Sequence, residues 1–161
     1  MAPLVIIDCV QQVAANPDYC ITIQDVRDWE RQWGEIPRGS FVVMATEWSR
    51  RWRPDEGVAM RNADLAGCSH YPGWSREVLE FLLRDRAVSG IGHETTDTDP
   101  GVATSRGDYS LEHFVLSNDV YQVEMLASLR SVPRSGALVV VGVPKIHGAS
   151  GFPARVLAIA P

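Results

Sequence analysis

"LVIID", residues 4–8, places four branched aliphatic side chains in succession before its first charge. A run this short, apolar and branched reads as a buried strand. "FVVMAT" (41–46) reads the same way. "AVSGIG" (87–92) leads into a further short strand, and "ALVVVGV" (137–143) and "ARVLAIA" (154–160) close the chain as strands. Helical patterns separate the earlier runs. In "TIQDVRDWERQWG" (22–34), Thr22 is an N-cap with Asp25 three residues on. Val26, Trp29 and Trp33 share a face there, and Gly34 ends the helix. In "SREVLEFLLRDR" (75–86), Ser75 caps, and Val78, Leu79, Leu82 and Leu83 form the apolar stripe. Strands alternating with helices define an α/β chain. Residues 119–130 fit either a helix or a strand followed by a helix. Glu47–Gly73 reads as a long polar surface excursion.

The composition bounds the function. The 161 residues suit one domain, and 45% apolar content excludes a disordered chain. A net charge of −5 with no basic stripe argues against nucleic acid, the densest basic run being "SRRWRP" (49–54). No apolar run reaches the 18 or so residues of a membrane span, and no signal peptide precedes the first strand. Cys9, Cys20 and Cys68 are odd in number and lack a CxxC pair, so reduced thiols in a cytoplasmic protein are expected.

No serine nucleophile elbow or phosphate-binding loop is present, and "HETTD" lacks the second histidine of a zinc-protease helix. "HETTDTDPG" (93–101) carries Glu94, Asp97 and Asp99. Such carboxylates bind metal or substrate, or take a proton; equally, they complete a polar turn by bonding their own backbone. "LEHFVLSNDVYQVEML" (111–126) holds His113 and Glu124, both suitable metal ligands. On the residues alone, a core histidine and a solvated glutamate explain the pair better.

The order of these segments resembles the metal-dependent cyclase family, which includes bacterial kynurenine formamidases, isatin hydrolases and trans-dienelactone hydrolases. The similarity runs from "LVIID" through "HYPGWSREVLEFLLRDRAVSGIGHETTDTDPG" to "GALVVVGVPKIHGASGFPARVLAIAP". It implies a mixed sheet or β-barrel-like core with flanking helices, of the swivelling β/β/α type. It further implies hydrolysis of an amide or lactone, through water activated by zinc or manganese. By resemblance, His113 and Glu124 are the two late metal ligands. Their spacing is one residue shorter than the family pattern, and Met125 stands where asparagine is common. The resemblance leaves Glu94, Asp97 and Asp99 near the pocket or behind the ligands, and Trp48 and Trp52 as pocket walls for a flat aromatic amide or lactone. The family's HxGTHxDxPxH motif, which supplies the early ligands, has no counterpart in this sequence. A single cyclase-like domain lacking its N-terminal part is therefore expected, with the neighbours of "LVIID" in that part and a homo-oligomer covering exposed faces. A truncated, non-catalytic homologue acting as a scaffold or oligomer subunit is the alternative.

Overall fold

The computed structural model describes residues 1–54 and 57–161. Among the described residues, six strands form one curled mixed sheet, half of a barrel. They are β1 (Ala2–Asp8), β2 (Phe41–Ala45), β3 (Gly90–His93), β4 (Tyr121–Val123), β5 (Ala137–Gly142) and β6 (Arg155–Ile159). Their spatial order is β4-β3-β2-β1-β5-β6. The first four are parallel; β5 runs antiparallel to β1, and β6 antiparallel to β5. The mixed α/β class read from the sequence therefore holds.

β1 is a central strand. Leu4–Asp8 pair with Phe41–Ala45, and Ala2–Leu4 with Ala137–Val139. Both neighbours come from within this chain, which corrects the expectation that they lie in a missing part. Both faces are covered, which explains why "LVIID" shows no alternation. Val5, Ile7, Val42, Met44 and Ile91 face the helices, whereas Leu4, Ile6, Phe41 and Val43 face the concave side.

The helices are α1 (Val10–Ala15), α2 (Ile23–Trp33), α3 (Val58–Arg61), α4 (Arg76–Glu80), α5 (Gly101–Thr104) and α6 (Ser110–Ser117). In α2, Thr22 and Asp25 form the expected reciprocal cap. Val26 and Trp29 are buried, but Trp33 lies near the end of the helix and is exposed. α4 runs on into a wider turn, Phe81–Asp85, closed by the Arg86 N–H donating to the Phe81 carbonyl at 3.2 Å. Arg86 then grips Glu30 of α2 through Nε and Nη2 at 2.6 and 3.1 Å. Trp74, Leu79 and Leu82 are fully buried against the sheet. Each such leucine contributes about 1.5–3 kcal/mol.

The stretch 47–73 is less superficial than its polarity implies. Trp48, Met60 and Tyr71 enter the core, and the Trp48 indole N–H donates to the Met60 carbonyl at 2.9 Å. Residues 119–130 resolve into β4 and a single tight turn, Leu129–Ser131.

Candidate active site

The carboxyl ends of the parallel strands and the concave face position this site. β3 reads "GIGH" because its neighbours meet across it. A Cβ at Gly90 would lie 2.8 Å from both Phe41 and Tyr121, and one at Gly92 would lie 2.6 Å from Leu126. With no side chains in the way, the Phe41 and Tyr121 rings stack at 5.6 Å. They floor a cavity of about 1180 Å³ together with Leu4, Val43, Leu126 and Val139. Strands β4 and β6, the two edges of the sheet, also line it.

Glu124, the residue after β4, lines the mouth of this cavity and is exposed. The next residue, Met125, has φ +56° and so bends the chain in the left-handed region. Its N–H donates to the Thr95 carbonyl, and the Leu126 N–H to the His93 carbonyl, both at 3.0 Å. This turn sets the backbone direction just after Glu124. Partial desolvation, then the charges of Asp97 and Glu112, push its carboxyl up to about 7.

Glu112 lines the same wall, on α6. Its carboxyl is also raised, by desolvation first and then by Asp97 and Asp99. Neither Glu112 nor Glu124 has a side-chain hydrogen bond or ion pair among the described residues. His113, one residue further along α6, is turned outward. It is exposed, and its ring lies 3.4 Å from Ser117 Oγ. One helical position is about 100° of rotation, enough to exchange a cavity-facing residue for a solvent-facing one. The structure thus brings Glu112, rather than His113, to the wall that carries Glu124.

The loop 93–99 supports this wall from behind. Asp99, almost fully buried, accepts from the Leu111 and Glu112 N–H groups through its two oxygens, each at 2.9 Å. It thereby caps α6. Asp97 accepts from Tyr71 and Thr96 hydroxyls, both at 2.6 Å. Glu94 is buried and accepts from the Ser49 N–H and hydroxyl at 2.9 and 3.0 Å. His93, fully enclosed, accepts from the Trp74 indole N–H at 3.1 Å, and burial lowers its pKa to about 3. Trp48 and Trp52 do not line the cavity: Trp48 belongs to the helix-side core and Trp52 is exposed. Phe41 and Tyr121 supply the aromatic surface instead.

Among the described residues, no three His, Cys, Asp or Glu side chains gather closely enough to hold a metal ion. None of the described helices is long and apolar enough to cross a membrane.

The chain has clear relatives. The Cyclase family model ("Putative cyclase") matches residues 1–100. An isatin hydrolase of Roseibium aggregatum is 35% identical over 162 residues, covering 100% of this chain and 60% of the relative. A crystal structure of an isatin hydrolase bound to the product analogue thioisatinate superposes with a TM-score of 0.89 at 34% identity, covering 99% of this chain and 60% of that one. Isatin hydrolase A from Ralstonia solanacearum does so with a TM-score of 0.89 at 35% identity and the same coverage. The chain therefore spans about 60% of the length of these relatives. The family match and the shared fold place this chain in the cyclase family.

Proposed function

We propose that the concave cavity is the reaction chamber of a hydrolase that opens a small aromatic amide or lactone. The observation that carries this reading is the pair of carboxylates, Glu112 and Glu124, without side-chain partners among the described residues, in a cavity of mixed polar and apolar lining beside two stacked rings. The relatives named as isatin hydrolases support it and point to a cyclic aromatic amide. The three free cysteines are consistent with a cytoplasmic setting.

In this reading the flat ring of the substrate rests against Phe41, Tyr121 and Leu126. Water attacks the carbonyl carbon while ionised Glu124 accepts its proton. The C–N or C–O bond then breaks, and the same proton passes from Glu124 to the departing nitrogen or oxygen. A carboxyl titrating near 7 is suited to both transfers. The zinc or manganese ion implied by the family would, when bound, lower the pKa of a coordinated water. The side chains of the described residues do not fit such an ion by themselves. Two carboxylates fall short of the usual three or four ligands, and His113 faces away.

The test is hydrolysis of isatin, a simple aryl lactone and an N-formyl aniline, with and without added zinc or manganese. Turnover of at least one of them, lowered about 10²–10⁴-fold in Glu124→Gln, is the expected result. No turnover of any of them, with isatin still failing to bind, favours the non-catalytic scaffold.

A further inference from the structure

We propose that the polar pocket between the 57–71 segment and the 93–99 loop is a second ligand site, and that it takes a small amino acid, carboxylate on Arg61 and ammonium on Asp97. The proposal goes beyond the hydrolase reading and does not depend on it.

Cross-links between three pieces of chain build the pocket. The Tyr71 hydroxyl donates to Asp97 Oδ2 and lies 2.6 Å from Thr104 Oγ1. The Ser69 N–H donates to Ser105 Oγ at 2.7 Å, and the Gly101 N–H to the Tyr71 carbonyl at 3.0 Å. Gly101 permits this approach, because a Cβ there would lie 2.7 Å from the Ser69 carbonyl oxygen. The volume is about 300 Å³, at the lower end of the range for small-molecule sites. The pocket shares no lining residue with the concave cavity.

The lining selects the ligand. No leucine, isoleucine, valine, methionine or phenylalanine of the described residues reaches it, so it offers a flat aromatic ring little apolar surface. Arg61 and Asp97 are its only charged side chains among the described residues. The neighbouring charges are engaged elsewhere. Asp99 accepts from the Leu111 and Glu112 N–H groups, and His70 lies between Asp18 and Asp64. Arg61 is exposed and has no ion-pair partner among the described residues, so it lines the pocket without pairing with Asp97. Asp97 uses only Oδ2 for the Tyr71 and Thr96 hydroxyls, and its Oδ1 accepts no hydrogen bond among the described residues. The side-chain hydroxyls of Ser69 and Tyr109 are likewise uncommitted there. A simple anion would meet Asp97 and a simple cation Arg61, each as a like charge. A molecule carrying a carboxylate, an ammonium and a short polar side chain satisfies every free group. Such an occupant bridges the 57–71 segment to the loop that supports α6.

The experiment titrates L-serine into the whole isotopically labelled chain, with acetate, methylamine and glycerol as controls. Saturable amide shifts at Ser69, Asp97 and Tyr109 are expected, with slower hydrogen exchange across residues 57–71. Each control should bind about tenfold more weakly or worse, since each lacks at least one charged contact. Arg61→Gln, at an exposed position, should leave the melting temperature unchanged and weaken serine binding about tenfold or more. No saturation at millimolar serine, any control binding as tightly as serine, or a serine affinity indifferent to Arg61→Gln each overturns the proposal. Tight acetate would mark a simple anion site, and tight glycerol a polyol site.

Discussion

Asp99 holds the backbone N–H of Glu112 at 2.9 Å, and through it the helix that carries the cavity's acidic wall. A buried carboxylate bonded to two N–H groups at a helix start stabilises both the helix and its direction. Asp99→Ala should lower stability by about 1–2 kcal/mol, since two helix N–H groups lose their acceptor. Urea denaturation reads the loss. Asp99→Asn, which keeps one acceptor oxygen, should recover part of it.

Met125 occupies a left-handed backbone position that resists a side chain with no local hydrogen bond to offer. Met125→Asn should raise stability by about 0.5–1 kcal/mol, because asparagine tolerates this region. Thermal melts of the two proteins check it. A lower melting temperature would show that Met125 contributes more by packing than it costs by strain.

Glu124 gives stability a pH dependence. Its carboxyl titrates near 7 when folded and about 4.3 in an unfolded chain, so the folded state holds the proton more tightly. Its contribution is full below the unfolded value and is lost as pH rises to about 7. Glu124→Gln should flatten the stability profile between pH 4.5 and 7 and leave the variant more stable than the parent above pH 7. Melting temperatures across that range decide it.

A second slope comes from His70. Its Nδ1 lies 2.8 Å from Asp18, and its Nε2 lies 3.6 Å from Asp64. The hydrogen bond to Asp18 is the main cause that raises its pKa above 6.5, with Asp64 adding to it. Protonation therefore clamps the 57–70 segment to the 16–18 turn, and the stabilisation fades as pH rises past the raised value. His70→Gln should remove the loss of stability above pH 6.5 and leave the Glu124 slope below it. Hydrogen exchange of residues 60–70, slow at pH 6 and faster at pH 8 in the parent only, is the local readout.

Much of this architecture was legible in the residues. The aliphatic runs of β1 and β2 marked covered strands, and the Thr22–Asp25 pair marked the start of α2, because both signals are local. What was not legible depends on rotation and on distant partners. Trp48 sits in a polar stretch, and only the fold reveals that its indole reaches Met60. Leu4 and Ala137 pair through an antiparallel return that no local pattern encodes. Glu112 and His113 are neighbours in sequence, and a helix start set by Asp99 decides which of them faces the cavity. Asp99 itself, read as a turn residue or a site residue, is the cap that settles the question.

The central claim is that the wall bearing Glu112 and Glu124 receives the substrate. Isatin titrated into isotopically labelled protein, followed by amide and carboxyl carbon shifts, tests it most directly. The account predicts that shifts concentrate at Phe41, Glu112, Tyr121, Glu124 and Leu126, and that the Glu124 titration midpoint moves away from about 7. Shifts confined to the polar pocket lined by Arg61, Ser69, Asp97 and Tyr109, or no shifts at all, would contradict it.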